Sequence, residues 1–242
     1  MKLPKMVLFD YGQTLGTEET YNALKGTDAV MQYAVQNKHG LTASEVQAEA
    51  DRINRGLGKG NPATRHLLQV EVPNRMFTGY LYASLGITLS LTSEEIDRVF
   101  WDAASPAKPT EGICDFLRYL EARGIRTGVI SNISYDESVV KEHIRALIPD
   151  HSFEFIIATS SFLYRKPHPG IFRLALEMAD LSPEDVWYIG DDYKCDVEGA
   201  KNAGLFPVWY VGARNTPVEP DADVLTVRSW KELQARMDGS NR

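Results

Sequence analysis

Cysteine is scarce in this sequence, since Cys114 and Cys195 are the only two among 242 residues. They lie far apart and show no metal-ligand spacing, so we expect neither a disulfide framework nor a zinc site. Both are interpreted as reduced thiols of a cytoplasmic protein. Long apolar runs are lacking as well, because no stretch approaches the ~18 apolar residues of a membrane span and Lys5 interrupts the N-terminal one. We therefore expect neither a signal peptide nor a membrane association.

Basic side chains are outnumbered by acidic ones, 26 against 33, which gives a net charge of −7. This excess of negative charge disfavours sequence-independent binding to nucleic acid or to an anionic membrane surface. Hydrophobic residues make up 43% of the chain and charged residues 24%, which is typical of soluble globular proteins. The length fits one folded core with one sizeable insertion.

The N-terminal half indicates one buried strand followed by a long helical segment. Met6 to Phe9 form a short apolar run that ends at Asp10, as in a parallel strand that opens into a loop. From about Thr17 to Ala107 the periodicity is helical, and no strand is predicted there. Four helices are predicted in this segment: Glu19 to Gln36, one from Ser44, one around Met76 to Leu85, and one from Ser93.

The remainder of the chain alternates between helices and strands. Such alternation predicts an α/β fold, with a doubly wound parallel sheet and right-handed crossovers. We predict a core domain over residues 1–16 and 106–242 and a helical cap domain over residues 17–105. The predicted strands are Ile125 to Ile130, Phe153 to Ile157, Val186 to Ile189, Pro207 to Val211 and Asp223 to Val227; the helices are Glu111 to Arg123, Tyr135 to Leu147, Pro169 to Met178, Cys195 to Ala203 and Trp230 to Met237.

Polar side chains follow the predicted strands at the edge where parallel sheets bind their ligands. Asp10 follows the first strand, and Ser131 and Asn132 follow the second. Lys166 comes in the loop after the third strand. Asp191 follows the fourth strand, so that acids, a hydroxyl and a lysine converge on one edge of the sheet.

Clustered carboxylates repel one another unless a cation joins them, and hard oxygen ligands beside a phosphate suit Mg²⁺. We therefore predict a magnesium site that includes Asp10 and Asp191. Asp10 could then attack phosphorus and form an aspartyl-phosphate that water cleaves. Lys166 and Ser131 or Asn132 would hold the phosphoryl oxygens.

Four segments resemble the ordered motifs of the haloacid dehalogenase superfamily of hydrolases. They are VLFDYGQTL at 7–15, GVISN at 128–132, RKPHPGIF at 165–172 and YIGDDYKCDVEGA at 188–200. The resemblance covers roughly residues 1–16 and 106–235. The insertion after the first strand is similar to the helical cap of the subfamily that contains small-molecule phosphatases, phosphonatases and dehalogenases, in which the cap closes over the site and selects the substrate.

The resemblance assigns a role to each motif residue. It implies that Asp10 is the nucleophile, Ser131 the phosphate hydrogen-bond donor and Lys166 the lysine that neutralises charge, with Asn132 as a further candidate at the phosphate. It also implies metal binding by Asp10, by the backbone carbonyl of Gly12 and by Asp191, which Asp196 supports from a second layer.

Position 12 departs from the family pattern. Phosphatases of this family mostly carry a second aspartate there, which protonates the leaving oxygen and later activates water, but this chain has Gly12. General acid/base groups contribute typically about 10² to 10⁴ in rate, so activity on poor leaving groups is expected to be weak unless another group substitutes. Gln13, Asp192 or a residue of the cap could do so.

Three functions remain open from the residues and from what the resemblance implies. The first is Mg²⁺-dependent hydrolysis of a small phosphorylated metabolite by a monomer or homodimer. The second is a non-catalytic regulatory module that binds phosphate and metal. The third is a phosphonatase-like carbon–phosphorus hydrolase, which needs a lysine of the cap for a Schiff base, with Lys25 and Lys59 as candidates. In this family dehalogenation needs no metal, whereas the acids Asp191, Asp192 and Asp196 indicate a metal site. Dehalogenation is therefore disfavoured.

Other conspicuous residues have simpler interpretations. Arg55, Lys59 and Arg65 of the basic stretch from Arg52 to His66 could reach an anionic substrate, although most such clusters are solvated. His168 is interpreted as an exposed loop residue and Cys195 as a packing thiol. The aromatic residues Phe77, Tyr80 and Tyr82 indicate packing within the cap or a dimer surface.

Overall fold

The computed structural model describes residues 2–18, 20–59, 64–213 and 222–239. Its centre is a six-stranded parallel sheet with the strand order β10-β9-β8-β1-β6-β7. The strands of this sheet are β1 (Met6–Phe9), β6 (Arg126–Ser131), β7 (Ile156–Ala158), β8 (Val186–Gly190), β9 (Phe206–Tyr210) and β10 (Leu225–Val227).

Strand β1 lies in the middle of the sheet and is buried on both faces. Val7 and Phe9 belong to one hydrophobic cluster, whereas Met6 and Leu8 belong to the other. This division follows from the period of two in a strand, in which successive side chains point to opposite faces. A run of four apolar residues is therefore what a central parallel strand requires.

Helices cover both faces of the sheet. Helices α5, α6 and α9 contribute to the cluster of Val7 and Phe9, whereas α7 and α8 contribute to the cluster of Met6 and Leu8. The doubly wound α/β fold predicted from the alternation of strands and helices is confirmed. These helices are α5 (Ile113–Glu121), α6 (Glu137–Leu147), α7 (Pro169–Ala179), α8 (Gly199–Asn202) and α9 (Trp230–Gly239).

Residues 20–104, which we call the helical insertion, follow β1, and their described part contains four α-helices. They pack around a hydrophobic cluster of their own, which includes Val30, Val46, Leu81 and Ile96. The predicted starts near Ser44 and Ser93 are confirmed by capping boxes. The helices are α1 (Ala23–Met31), α2 (Ala43–Gly56), α3 (Asn74–Ser84) and α4 (Ser93–Ala104).

The prediction of no strand between Thr17 and Ala107 is wrong. Two small antiparallel pairs lie in or beside the insertion, and each strand has only three or four residues, too few for alternation to be recognised in the sequence. The pairs are β2 (Gly16–Glu18) with β5 (Ala107–Pro109), and β3 (Ala34–Asn37) with β4 (Ile87–Leu89).

The predicted helix from Glu19 to Gln36 is wrong at both ends. Residue 19 lies outside the described residues, and α1 begins only after Asn22, whose side chain accepts a hydrogen bond from the backbone of Lys25. After Met31 the chain leaves the helix and pairs with β4 as strand β3. Backbone pairing with a distant segment has overridden the local helical pattern here.

The helix predicted from Cys195 to Ala203 begins earlier and is not regular. A π-helical stretch covers Tyr193–Glu198, and only Gly199–Asn202 is α-helical. Asp192 lies at the N-terminal end, where its side chain accepts hydrogen bonds from the backbone of Lys194 and Cys195.

No helix among the described residues is long and apolar enough to cross a membrane.

Candidate active site

The candidate site lies where the order of the strands reverses. The chain runs outward from β1 to β6 and β7 and then returns to β8 on the other side of β1. Ligands of open parallel sheets bind at the carboxyl ends of the strands beside such a reversal. Asp10 follows β1 and Asp191 follows β8, and the backbone N–H of Asp10 donates to the carbonyl of Ile189 at 2.8 Å.

Three carboxylates meet at this point. Asp10, Asp191 and Asp196 each offer one oxygen, and these oxygens lie within 4.8 Å of one another. Asp196 is buried, and its Oδ2 accepts a hydrogen bond from the backbone N–H of Asp192 at 2.9 Å. The structure thus brings together the three acids that the sequence predicts for a metal site.

Lys166 lies buried among these acids, with only 1% of its side chain exposed. Its Nζ donates hydrogen bonds to Asp10 Oδ1 at 2.7 Å, to Asp196 Oδ1 at 2.6 Å and to the Tyr188 hydroxyl at 2.6 Å. Burial alone lowers the pKa of the Lys166 ammonium, but the charges of Asp10 and Asp196 raise this pKa well above its usual value. The lysine therefore stays charged at neutral pH.

The chemistry of this cluster fits a divalent cation. Asp10, Asp191 and Asp196 carry three negative charges, and Lys166 supplies one positive charge, which leaves a formal charge of −2. Mg²⁺ prefers oxygen ligands at about 2.0–2.1 Å, so opposite ligands of one ion lie about 4.2 Å apart. Three oxygens within 4.8 Å of one another agree with that spacing.

Ser131 is the last residue of β6 and is 4% exposed. Within the described residues no group forms a hydrogen bond with its Oγ, which therefore remains available to an oxygen in the cavity. Asn132 is oriented differently, because its amide binds the backbone of Lys166 at both ends, with Oδ1 accepting from N–H and Nδ2 donating to the carbonyl, each at 2.8 Å. One hydrogen of Nδ2 is left for a ligand.

Gly12 lines the same cavity as Asp10. A Cβ added at Gly12 would meet no atom within 4 Å, and its φ lies outside the left-handed region. Position 12 therefore has room for a side chain that the sequence does not supply. Gln13 beside it has a φ of 53°, and its Oε1 accepts a hydrogen bond from the Thr17 hydroxyl at 3.2 Å.

A cavity of about 380 Å³ lies between the sheet edge and the helical insertion, and Asp10, Ser131, Lys166 and Asp191 border it. Its size is near the lower end of ligand pockets, which span roughly 300–1,000 Å³, and fits a small metabolite. The wall also includes residues that the sequence did not single out, among them Glu18, Tyr21, Trp101, Tyr135 and Arg165. The sequence did not reveal them because the wall combines residues from several separate segments, and neither motif spacing nor periodicity marks such a combination.

Arg165 is tied to the helical insertion through Glu71, a buried acid that the sequence did not single out. Glu71 Oε2 accepts from Arg165 Nη1 at 2.9 Å and from the Thr159 hydroxyl at 3.1 Å. Glu71 Oε1 accepts from Lys59 Nζ at 2.9 Å. A single carboxylate thus joins two cations, one from the insertion and one from the loop that carries Lys166.

Several candidates lie elsewhere. Lys25 and Arg55 are exposed and do not border the described wall of the cavity, and the side chain of Arg65 lies outside the described residues. His168 is half-buried rather than exposed, because its Nδ1 accepts from the backbone of Gly170 at the start of α7 and its ring stacks on Tyr164.

The remaining candidates are Cys195 and the aromatic residues of the helical insertion. Cys195 is buried, and it borders the cavity. Tyr82 and Phe77 pack in the cluster of the insertion, whereas Tyr80 is 60% exposed.

Comparison with known proteins identifies the family. The profile of the haloacid dehalogenase-like hydrolases matches residues 4–204. The chain belongs to this family. The resemblance that the four motifs carried is confirmed, and with it the prediction of a hydrolase.

Curated relatives include phosphatases. Glyceraldehyde 3-phosphate phosphatase of Pyrococcus furiosus is 36% identical over 96 residues, which cover 39% of this chain and 38% of that protein. The match thus spans about two fifths of the relative's length. Phosphoglycolate phosphatase of Pseudomonas putida is 25% identical over 244 residues, covering 96% of this chain and 79% of the relative.

Solved structures of haloacid dehalogenase-like proteins share the fold. A HAD phosphatase from Thermococcus onnurineus matches with a TM-score of 0.66 and 22% identity, covering 97% of this chain and 98% of the other. A 2-haloacid dehalogenase from Pseudomonas syringae matches with a TM-score of 0.64 and 18% identity, covering 98% and 100%. Since both reactions occur on this fold, the fold alone does not decide between them.

Proposed function

We propose that this chain is a Mg²⁺-dependent phosphatase that cleaves a small phosphorylated metabolite through an aspartyl-phosphate at Asp10. The observation that carries the proposal is the position of the Asp10 carboxylate, which borders the cavity and contacts Lys166 at 2.7 Å beside two further acids. The phosphatases among the relatives support the same reaction type.

Each residue has a defined task in this proposal. A carboxylate oxygen of Asp10 attacks phosphorus, the bond to the leaving oxygen breaks, and water later cleaves the aspartyl-phosphate to restore the carboxylate and release phosphate. Lys166 and the Ser131 hydroxyl stabilise the negative charge that develops on the phosphoryl oxygens. Asn132 holds the backbone of Lys166 in place and keeps one amide hydrogen for the phosphoryl group.

Asp10, Asp191 and the backbone carbonyl of Gly12 would hold Mg²⁺, with Asp196 in support. The ion supplies positive charge that offsets the crowded carboxylates and the phosphate. We further propose that residues 17–105 form the cap and residues 1–16 and 106–242 the core, because the insertion has its own hydrophobic cluster and closes one side of the cavity. A cap in this position selects substrates by size and charge.

The phosphonatase alternative lacks support from the cavity. That reaction needs a lysine of the insertion near the substrate, but Lys166 is the one lysine among the described residues that border the cavity. Lys59 pairs with Glu71, and Lys25 is exposed. The non-catalytic alternative rests on Gly12 alone, and a direct measurement of turnover separates it from the phosphatase.

The test compares hydrolysis of p-nitrophenyl phosphate by wild type and Asp10→Asn, with and without Mg²⁺. The nitrophenolate leaves without protonation, so the lack of an acid at Gly12 does not slow the step in which the leaving group departs. We expect turnover that requires Mg²⁺ and is abolished in Asp10→Asn, and acid quenching of wild type should trap phosphate on the protein.

Asp191→Asn provides a second variant, for which the Mg²⁺ concentration at half-maximal activity is expected to rise. Asp28→Asn, at an exposed position in α1, is the matched control. Phosphate binding without turnover by folded wild type would favour the regulatory module and overturn the proposal.

A further inference from the structure

We propose that Arg165 binds a carboxylate of the substrate, so that the preferred substrates are small phosphate monoesters that carry a carboxylate. The inference rests on the proposed phosphatase function and specifies its substrate class. It assigns a task to a cavity residue that the phosphoryl chemistry leaves unused.

The first argument is the charge balance at the Glu71 cluster. Arg165 and Lys59 both pair with Glu71, whose side chain is 1% exposed, so two positive charges meet one negative charge. These three groups leave a formal charge of +1. The side chain of Arg165 is only 13% exposed, which means that bulk water compensates this charge poorly. An anion in the cavity would balance it.

The second argument is the unused hydrogen-bonding capacity of Arg165. A guanidinium has five N–H donors in a fixed fork that matches a carboxylate. Among the described residues only Nη1 has a partner, the Glu71 carboxylate, and Nε is buried with none. A buried donor without a partner is destabilising, because the hydrogen bonds it made to water are not replaced. A small shift of the side chain toward a bound carboxylate would recover part of this cost.

The third argument is that Arg165 shares its cavity with the reacting group. Arg165 directly precedes Lys166, and both side chains border the same cavity of about 380 Å³. Consecutive Cα atoms lie about 3.8 Å apart, so the two cations are presented from one short loop. We therefore expect one small molecule in this cavity to contact both residues, with its phosphoryl group at Lys166 and its carboxylate at Arg165.

Among the described residues, two basic side chains border the cavity, Arg165 and Lys166. Lys166 is already paired with Asp10 and Asp196. The wall otherwise includes several acids and the rings of Trp101 and Tyr135. Arg165 is therefore the group in this wall that can attract an anionic group remote from the phosphoryl centre.

The experiment compares phosphoglycolate with ethyl phosphate, which has the same phosphoester but a methyl group in place of the carboxylate. For wild type with Mg²⁺ we expect KM for phosphoglycolate to be about 10- to 100-fold lower than for ethyl phosphate, as for loss of one charge-assisted hydrogen-bond pair. In Arg165→Gln, KM for phosphoglycolate should rise to that of ethyl phosphate, while kcat and KM for p-nitrophenyl phosphate stay near the wild-type values.

Two further variants separate recognition from structural support. Arg165→Lys retains the charge without the fork, so we expect an intermediate KM for phosphoglycolate. Arg173→Gln removes the same charge at an exposed position in α7, away from the cavity, and should leave both values of KM unchanged. Glu71 retains Lys59 as a partner in each Arg165 variant, so folding should persist, and the melting temperature checks this.

The outcomes distinguish the inference from the proposed function. Equal KM for the two alkyl esters in wild type, or an equal rise for all three esters in Arg165→Gln, would overturn the carboxylate assignment and leave the phosphatase standing. If wild type hydrolyses none of the esters, the phosphatase proposal fails. Calorimetric titration of Asp10→Asn with phosphoglycolate and ethyl phosphate then still decides the inference, which requires tighter binding of phosphoglycolate and loss of that difference on adding Arg165→Gln.

Discussion

The hydroxyl of Tyr188 accepts a hydrogen bond from Lys166 Nζ at 2.6 Å and donates one to the carbonyl of Ile130 at 3.0 Å. Tyr188 lies within β8 and is 1% exposed. The ammonium of Lys166 is thus held by three hydrogen-bond partners, one tyrosine hydroxyl and two carboxylates. Tyr188 is a positioning residue, because its contact with the proposed reacting groups passes through Lys166.

Replacing Tyr188 by Phe should lower kcat about tenfold and change KM little, because the ammonium loses one of its three partners but keeps its charge. The carbonyl of Ile130 also loses its hydroxyl partner, so the free energy of unfolding should fall by about 1–3 kcal/mol. Steady-state kinetics with p-nitrophenyl phosphate and urea denaturation measure the two effects.

Tyr82→Phe is the matched control, since Tyr82 is also buried but lies in the hydrophobic cluster of the insertion. It should leave kcat unchanged. If Tyr188→Phe retains the wild-type kcat while losing stability, Tyr188 supports the core alone and does not position Lys166.

The sequence predicted the sheet because apolar residues of the central strands end at a polar or glycine residue and alternate with helical segments. The predicted strands Ile125 to Ile130 and Val186 to Ile189 overlap β6 and β8, and no knowledge of their neighbours was needed to recognise them. The pairs β2 with β5 and β3 with β4 were missed because a strand of three residues has no readable period. Their stability comes from partners fifty or more residues away, which local propensity does not encode.

The site was predictable where residue type and strand end coincide. Asp10 and Asp191 follow that rule, Asp196 was implied by the resemblance of the fourth motif, and the structure brings the three acids together. Glu71 and Arg165 do not follow it, because their contact joins residues 94 positions apart through the packing of the insertion on the core. Tyr188 was missed for a different reason: in an apolar strand, a tyrosine is indistinguishable from a packing residue until its hydroxyl partner is known.

Trp101 joins the helical insertion to the core. Its ring lies between two rings of the core, stacking on His143 at a centroid distance of 3.9 Å and on Tyr135 at 4.8 Å. The residue is 2% exposed. Trp101→Ala should therefore lower the free energy of unfolding by about 3–5 kcal/mol, as expected for a large buried aromatic residue. Urea denaturation followed by circular dichroism measures this loss.

Tyr80→Ala is the control for Trp101→Ala, because Tyr80 belongs to the same insertion but is 60% exposed. Its substitution should change stability by less than about 0.5 kcal/mol. A similarly small effect for Trp101→Ala would mean that the stack contributes little to holding the insertion on the core.

Gly12 leaves open space at the position where the family's second aspartate would stand. Because a Cβ there meets no atom within 4 Å and the backbone is not left-handed, Gly12→Asp should fold without strain. The new carboxyl group could protonate the leaving oxygen of an alkyl ester. Turnover of alkyl phosphates relative to p-nitrophenyl phosphate should then rise by about 10² to 10⁴, because the nitrophenolate leaving group needs no proton.

Gly12→Asn separates proton transfer from side-chain volume, since its amide has nearly the shape of the aspartate but no proton of suitable pKa to give. We expect no gain on alkyl phosphates in Gly12→Asn, and a bell-shaped pH profile of kcat/KM in Gly12→Asp alone. Equal gains in both variants would show that filling the space, not an acid, limits the reaction. No gain in either, with the aryl ester still hydrolysed, would mean that another group of the cavity already protonates the leaving oxygen in the wild-type protein.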